Sequence, residues 1–132
     1  MVEINIFETK EEMGKVAAIK AAKIIKNALK IKRKAYFIAA TGTSQFEFLN
    51  DLTHQRGIEW DKTVMFHLDE YIGLPADHPA SFRRYLKERI VDIVHPNKVH
   101  FIKGDAPDPI IECKRINKLI SKVKIDVAVI GI

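Results

Sequence analysis

The sequence predicts one α/β domain in which a mainly parallel sheet is covered by helices on both faces. Short apolar runs alternate with amphipathic segments along the whole chain, at the spacing of strand–helix–strand units. The runs at 35–40 and 125–132 are almost continuously apolar, which is typical of strands buried on both faces. A chain of 132 residues is long enough for one domain with its own core and too short for two. We therefore assign residues 1–132 to one doubly wound unit.

The first helix has the clearest start signal. Thr9 is followed three residues later by Glu12, a capping-box pattern that satisfies free N–H groups at a helix N-terminus. We predict that this helix runs from about Lys10 to Lys32. The apolar residues that recur at helical spacing along it are Met13, Val16, Ala17, Ile24, Ala28 and Ile31.

The remaining elements follow from shorter patterns. The predicted strands are residues 3–7, 35–40, 63–68, 98–102 and 125–132. The other predicted helices are residues 45–55, 79–94 and 108–123. We place Pro79 in the first turn of the third helix, where its missing N–H costs nothing. Strands and helices that alternate in this way favour parallel strand pairing.

The charge of the chain is formally +5 at pH 7, which is compatible with an anionic ligand. The densest basic run consists of Lys20, Lys23, Lys26, Lys30, Lys32, Arg33 and Lys34. Its first three members recur every third residue, which indicates one solvated face of a helix. Aromatic side chains do not alternate with these lysines, as they do in binders of single-stranded nucleic acid. No apolar run reaches the roughly 18 residues of a membrane span. We expect neither a nucleic-acid nor a membrane partner.

Cysteine and histidine usage indicates no disulfide and no metal site. The single cysteine, Cys113, cannot form an internal disulfide, and we interpret it as a reduced structural thiol. Residues 1–12 lack the layout of a secretory signal peptide. Metal-ligand spacing is absent among His54, His78, His95 and His100. We therefore expect a cytoplasmic protein without a metal or cofactor.

In a doubly wound fold, ligands bind beyond the C-terminal ends of the strands, here after residues 40, 68 and 131. The first of these loops reads "TGTSQF" and leads directly into a helix. Thr41, Thr43 and Ser44 offer hydroxyl groups, and Gly42 can adopt a positive φ. A helix N-terminus adds free N–H groups and a dipole that favours an anion. The pattern lacks the Gly-Lys-Ser/Thr of a Walker loop, and it is compatible with an anion site or with an ordinary helix cap.

The second loop begins with Asp69, Glu70 and Tyr71, directly after the strand at 63–68. A carboxylate at such a strand end can abstract a proton from carbon, and general-base catalysis contributes about 10²–10⁴ in rate. The same acids are equally compatible with a solvated turn. His67 lies within the strand pattern, and we interpret it as a hydrogen-bonded core histidine. The local pattern leaves both interpretations of the loop open.

Together these segments resemble the glucosamine-6-phosphate deaminase/isomerase family over the whole chain. The segments are "ATGTS", "FHLDEYIGLPADHPASFRRYL" and "DVAVIGI", with a helix and a strand between the first two. The most specific part is "LDEYIGLPADHPASF". The related 6-phosphogluconolactonases usually have Asp-Glu-Arg at the acidic corner, so Tyr71 favours the deaminase side. The resemblance implies a Rossmann-like fold similar to those of ribose-5-phosphate isomerase and CoA transferases.

The resemblance also implies an activity in amino-sugar metabolism, that of a hydrolase or isomerase that needs no cofactor. Asp69 matches the catalytic base that moves a proton between C2 and C1 of the opened sugar. The residues Thr41, Gly42, Thr43 and Ser44 match the turn that holds the substrate and its phosphate. Glu70 and Tyr71 are further candidates. Glucosamine 6-phosphate would thereby become fructose 6-phosphate and ammonia.

The chain departs from the family pattern in two places. It has Thr43-Ser44-Gln45 where many members have Gly/Ser-Thr-Pro, so hydroxyl donors are kept and the proline is lost. In the family, the strand matching "DVAVIGI" runs into a loop that carries the ring-opening histidine and its acidic partners. This chain stops at Ile132, before that loop. We therefore expect the N-terminal half of a deaminase-like fold, with the base and one phosphate loop but an incomplete catalytic site.

A half-fold of this kind would expose a sheet edge and helix faces, so we expect a homo-oligomer or self-association through the incomplete sheet. The expected ligand is a phosphorylated amino sugar. Two alternatives stay open. One is a 6-phosphogluconolactonase or another sugar-phosphate isomerase, and the other is a non-catalytic module for sugar-phosphate binding or assembly.

Overall fold

The computed structural model describes residues 1–131, and Ile132, the end of the predicted strand 125–132, lies outside the described residues. The helices are α1 (Lys10–Lys32), α2 (Phe46–Thr53), α3 (Phe82–Leu86), α4 (Asp92–Val94) and α5 (Pro109–Ile120). The strands are β1 (Ala35–Ala39), β2 (Thr63–His67), β3 (Lys98–His100) and β4 (Val127–Val129). A π-helical stretch, Lys87–Val91, joins α3 to α4, so residues 82–94 form one continuous helix, called the third helix below. None of the described helices is long and apolar enough to cross a bilayer.

The four strands form one parallel sheet in the order β3-β2-β1-β4. Two connections carry the chain outward from β1 to β2 and then to β3. The next connection, which contains α5, returns across the sheet to β4 on the other side of β1. This reversal makes the sheet doubly wound and puts its topological switch point between β1 and β4. The predicted fold class is confirmed.

One face of the sheet carries the main hydrophobic core. Phe37 of β1 and Met65 of β2 are opposite each other in the strand register, and both are buried. They pack with α1, α2 and the third helix through Ile25, Leu49 and Leu86. Three helices therefore cover this face, while the connection that contains α5 must cross the opposite one.

The two ends of the sheet differ in structure. At the N-terminal end of β2, a 3₁₀ turn at Trp60–Lys62 leads into the strand. The Trp60 ring makes an edge contact with Phe37, with ring centroids 6.0 Å apart. At the other end, the chain leaves β1 and β2 in the two loops that the sequence marks as candidates for binding.

The start and end of α1 are as predicted, but the apolar residues that recur at helical spacing are only partly buried. The Oγ1 atom of Thr9 accepts a hydrogen bond from the Glu12 amide at 3.1 Å, which confirms the N-cap. However, Met13, Ile24 and Ile31 are 45%, 42% and 71% exposed. The buried residues are Gly14, Ala18, Ala21, Ala22, Ile25, Ala28 and Leu29. A stripe of small residues lets α1 approach its neighbours closely. The buried face is therefore the one that packs most closely, and not the one with the largest apolar side chains.

The predicted strand at residues 3–7 is not formed in the described part of the chain. Val2, Ile4 and Ile6 alternate as in a strand, but they are 86%, 81% and 92% exposed. A strand is stable only when its backbone groups pair with a neighbour, and the described sheet contains β1 to β4 only. The alternating pattern therefore indicates a local propensity for strand structure, but no described strand pairs with these residues.

The third helix starts later than predicted. Its N-cap is Ser81, whose Oγ atom accepts a hydrogen bond from the Arg83 amide at 3.2 Å. Pro79 therefore precedes the helix instead of lying in its first turn. A serine side chain can satisfy a free N–H group of the helix, whereas proline only avoids having one. The strands β3 and β4 are also shorter than the apolar runs that predict them, at three residues each.

Candidate functional site

The loops after β1 and β2 start side by side. Directly after β2, the amide of Leu68 donates a hydrogen bond to the carbonyl of Ala39, the last residue of β1, at 3.1 Å. Thr41 follows Ala39 by two residues, and Asp69 follows Leu68 directly. The structure therefore brings the Thr41–Ser44 loop and the Asp69 loop to adjacent positions at one edge of the sheet, as parallel pairing of β1 and β2 predicts.

The loop after β1 is a tight turn that opens α2. Gly42 has φ +107°, a conformation that side chains rarely allow. A 3₁₀ turn at Thr43–Gln45 follows, closed by a hydrogen bond of 3.1 Å from the Gln45 amide to the Gly42 carbonyl. Thr43 and Ser44 are exposed, so their hydroxyl groups are accessible. The loop thus combines accessible hydroxyl groups with the start of a helix, which is chemistry suited to an anion.

The end of β4 approaches the same loop. A Cβ atom on Gly131 would lie 2.2 Å from Oγ of Ser44 and 2.8 Å from Nε2 of Gln45. Only a glycine fits at this distance without movement of those side chains. The end of β4 therefore lies at the same edge of the sheet as the loops after β1 and β2, and the third predicted loop, after residue 131, lies outside the described residues.

Asp69 and Glu70 are neighbours with opposite environments. Asp69 is exposed at the strand end, whereas the Glu70 side chain is completely buried. The Glu70 carboxylate accepts hydrogen bonds from Ser81 Oγ at 2.8 Å and from the amides of Phe82 and Arg83 at 3.0 Å each. Burial alone would raise the pKa of Glu70, but these hydrogen bonds hold it below its usual range. Glu70 is thus a charged acceptor bound to the N-terminus of the third helix.

Arg83 completes the buried network around Glu70. Its Nε atom lies 3.4 Å from the Glu70 carboxylate, and its side chain is only 9% exposed. The Nη2 atom donates to the Leu74 carbonyl at 2.7 Å and pairs with Asp105 at 2.9 Å. A buried carboxylate requires such a partner, because an unpaired charge in the interior is costly. The network ties the Asp69 loop to the third helix.

Tyr71 lies on the outside of this loop. Its side chain is 53% exposed, and its ring centroid is 4.8 Å from that of Phe82. Its carbonyl packs on Gly104, where an added Cβ would be only 2.1 Å from the oxygen. A hydrogen bond of 2.7 Å from the Gly73 amide to the Gly104 carbonyl joins the same two loops. The backbone that carries the Tyr71 side chain is therefore fixed by its contact with Gly104 and by the hydrogen bond between Gly73 and Gly104.

His67, the last residue of β2, is a core histidine as predicted. It is buried, and its Nδ1 atom accepts a hydrogen bond from the Ile102 amide at 3.4 Å. Burial lowers the pKa of His67 to about 4, so the ring is neutral at neutral pH with its proton on Nε2. The ring also makes an edge contact with Phe101, with ring centroids 5.7 Å apart.

Sequence reasoning missed one residue at the loop after β1. The hydroxyl of Tyr85, in the third helix, donates a hydrogen bond to the Gly42 carbonyl at 2.7 Å. The two residues are 43 positions apart, and nothing local in the sequence connects them. Within residues 1–131, no group of three or more His, Cys, Asp or Glu side chains could hold a metal ion.

Comparison with known proteins gives consistent matches to one family. The profile of the family described as Glucosamine-6-phosphate isomerases/6-phosphogluconolactonase matches residues 8–132. The chain is 33% identical over 109 residues to the glucosamine-6-phosphate deaminase of Exiguobacterium sp., covering 83% of this chain and 42% of that protein. It is 33% identical over 137 residues to glucosamine-6-phosphate deaminase 2 of Bacillus subtilis, covering 99% and 53%. The chain spans about half the length of the curated relatives it matches.

Solved structures show the same similarity. A monomeric glucosamine-6-phosphate deaminase superimposes with a TM-score of 0.81 at 27% identity, covering 92% of this chain and 51% of that one. A 6-phosphogluconolactonase from Shewanella baltica also has a TM-score of 0.81, at 20% identity, covering 97% and 57%. The second similarity concerns the fold alone.

Proposed function

Because the chain belongs to the glucosamine-6-phosphate isomerase/6-phosphogluconolactonase family, we propose that it binds a phosphorylated amino sugar between the loops after β1 and β2. One observation carries this proposal: parallel strand ends hold exposed Thr43 and Ser44 next to exposed Asp69. An anion and a reacting carbon of one small molecule can then be contacted at the same time.

In this proposal the two loops have different roles. The Thr41–Ser44 loop binds the phosphate through hydroxyl and amide donors. Asp69 takes the proton from C2 of the open-chain sugar and returns a proton to C1, which converts the amino aldehyde into a ketimine. Addition of water and loss of ammonia then give fructose 6-phosphate. Glu70 is bound to protein donors on both oxygens and serves to hold the loop, and Tyr71 lines its outer side.

Within residues 1–131, the proposed roles are those of the base and of the phosphate loop. In the family that the sequence resembles, the ring-opening histidine belongs to the loop after the strand that corresponds to β4. The test must therefore use ligands that need no ring opening.

A second candidate is a 6-phosphogluconolactonase, whose fold the chain shares. Tyr71, where lactonases usually have arginine, argues for the deaminase. The two functions differ in their ligands, because the deaminase substrate carries a cationic amine on the carbon that loses its proton, whereas the lactonase product carries a carboxylate.

The test is a binding comparison by calorimetry and by NMR of backbone amides. The ligand is 2-amino-2-deoxyglucitol 6-phosphate, an open-chain amino-sugar phosphate. We expect it to change the NMR chemical shifts of the backbone amides of Thr41–Ser44 and of the loop that begins at Asp69. Glucitol 6-phosphate, which lacks the amine, should bind roughly tenfold more weakly, corresponding to about 1.4 kcal/mol. Asp69→Asn should remove this difference, while Asp77→Asn, an exposed aspartate in the same loop, should preserve it.

Tighter binding of 6-phosphogluconate than of the amino compound would favour the lactonase. The proton transfer has its own readout in the same protein. With ammonium and fructose 6-phosphate, whose furanose ring opens spontaneously in water, the wild-type chain in D₂O should exchange protons at C1, and Asp69→Asn should not. Exchange that survives Asp69→Asn contradicts the role of this residue as the base.

A further inference from the structure

The third helix contacts both loops of the candidate site. Its first amides, those of Phe82 and Arg83, bind the Glu70 carboxylate in the loop after β2. Less than one turn further along, the Tyr85 hydroxyl donates to the Gly42 carbonyl in the loop after β1. Among residues 1–131, no other helix donates hydrogen bonds to both loops.

The Tyr85 ring is held in place by its neighbours. It stacks on Phe46 with ring centroids 5.8 Å apart and planes 17° apart. The guanidinium of Arg89 lies 3.8 Å from the Phe46 centroid and 5.1 Å from that of Tyr85. Burial raises the pKa of Tyr85 to about 12, so its hydroxyl remains a hydrogen-bond donor at neutral pH. The packing therefore fixes the direction in which this donor points.

The acceptor of this hydrogen bond is the peptide unit between Gly42 and Thr43, whose carbonyl also accepts a hydrogen bond from the Gln45 amide at 3.1 Å. Gly42 has φ +107°, and nothing lies within 4 Å of the position that a Cβ would occupy there. Side-chain packing at Gly42 therefore does not fix the rotation of this peptide, and the hydrogen bonds from Gln45 and Tyr85 to its carbonyl are what restrain it. Because that peptide is planar and trans, its carbonyl and the Thr43 N–H point in opposite directions. A bond that fixes the carbonyl also fixes the N–H.

We propose that Tyr85 is a positioning residue for the ligand-binding loop after β1. Its hydroxyl acts with the Gln45 amide to hold the Gly42 carbonyl, and the Thr43 amide is thereby kept pointing away from the third helix, where it can donate to an oxyanion. The identity of that oxyanion, the phosphate of a sugar phosphate, rests on the proposed function. Through the same helix, the amide donor and the Asp69 loop are held on one rigid element.

The test uses Tyr85→Phe, which removes the hydroxyl and keeps the ring that stacks on Phe46. Tyr36→Phe is the matched control, because Tyr36 lies in β1 and its hydroxyl has no hydrogen bond to the described residues. The first readout is taken without ligand. Amide hydrogen exchange of Thr43 and Gln45 should be faster in Tyr85→Phe than in the wild type and unchanged in the control.

The second readout is the affinity for 2-amino-2-deoxyglucitol 6-phosphate, measured well below the melting temperature of each variant. We expect the Kd of Tyr85→Phe to rise roughly three- to tenfold, the effect of one neutral hydrogen bond, with no change in the control. A merely structural role would lower the melting temperature and leave the Kd unchanged, and that result overturns the proposal.

The two proposals fail in different ways. If the wild-type chain binds no sugar phosphate, the proposed function fails, and the exchange of the Thr43 and Gln45 amides decides the inference. Faster exchange in Tyr85→Phe then supports the positioning role. Exchange equal to that of the wild type overturns it.

Discussion

At the scale of single residues, Glu70 shows how adjacent acids acquire different tasks. In the sequence, Asp69 and Glu70 form one acidic pair after a strand. In the structure, one carboxylate is exposed and the other is completely buried against a helix N-terminus. The buried carboxylate interacts with free N–H groups and with Arg83, and both interactions favour its charged form. The division of roles comes from the position of the third helix.

Replacing Glu70 with glutamine should therefore be costly. Glu70→Gln leaves Arg83 without its buried partner and replaces charged acceptor bonds with weaker ones, so we expect the free energy of unfolding to fall by roughly 3 kcal/mol. Glu88→Gln is the control, since Glu88 pairs with Arg84 on the exposed side of the same helix and should change stability by less than about 0.5 kcal/mol. Urea denaturation measures both. Equal effects of the two substitutions would contradict the buried role of Glu70.

The pH dependence of the same variant has a defined sign. The pKa of Glu70 is lower in the folded protein than its ordinary value of 4.5, so the unfolded chain binds this proton more tightly. The contribution to stability is therefore complete above pH 4.5 and is lost as the pH falls through the folded pKa. The free energy of unfolding of Glu70→Gln should therefore fall less between neutral and acidic pH than that of the wild type. The same pH profile in both proteins would rule out this contribution of Glu70.

The residue scale also shows what the sequence could predict of the site. Apolar runs and strand ends were sufficient to put Thr41–Ser44 and Asp69 at the same sheet edge, because parallel pairing brings strand ends together. The contacts of Glu70 with the third helix and of Tyr85 with Gly42 could not be predicted. They join residues 11 to 43 positions apart, and their geometry depends on where a helix packs.

At the scale of elements, α1 shows the limit of reading a helix from its hydrophobic pattern. Its length and N-cap follow from local signals, namely the helical period and the Thr9 side chain. Its orientation does not, because larger residues such as Ile24 and Ile31 are left outside while alanines are buried. The sequence carries no direct signal for how closely α2 approaches, and that distance decides which face is buried.

Gly14 offers a direct test of this close approach. On an exposed helix surface, glycine to alanine stabilises by about 1 kcal/mol. Here the added Cβ would lie 2.7 Å from Cβ of Glu47 and 2.9 Å from the Phe48 nitrogen. We therefore expect Gly14→Ala to destabilise the protein by about 1–3 kcal/mol. Thermal unfolding measures it, with the exposed Asn27→Ala on the same helix as a control that should not destabilise. A stabilised Gly14→Ala would show that α1 and α2 are further apart.

At the scale of the whole molecule, topology was the most predictable property. The alternation of strand-like and helix-like segments predicts a doubly wound parallel sheet, and the order β3-β2-β1-β4 confirms it. The predicted strand at 3–7 failed at this scale, because pairing needs a partner that the local pattern cannot supply. β4 pairs with β1 on one side, and within the described residues it has no strand on its other side.

Near this open edge, Ile130 follows β4 directly and is 62% exposed, and Ile31, which is 71% exposed, lines a groove together with Asp126, the residue before β4. Unpaired strand edges and apolar patches promote association, so we expect the sedimentation coefficient to rise with protein concentration. Ile31→Lys should weaken the association. Ile93→Lys, at an exposed position on the third helix, should have little effect. A monomer at every concentration would contradict association through this edge.

Trp60 has a practical consequence for all of these measurements. It is the single tryptophan of the chain, and it contacts Phe37 at the N-terminal end of β2. The five residues of β2 separate it from the candidate site by roughly 16 Å at about 3.3 Å per residue. Its fluorescence emission should therefore report on disruption of the core while remaining largely insensitive to a ligand bound at the other end of the sheet. A change in Trp60 fluorescence during a ligand titration would thus indicate unfolding of the core and not ligand binding.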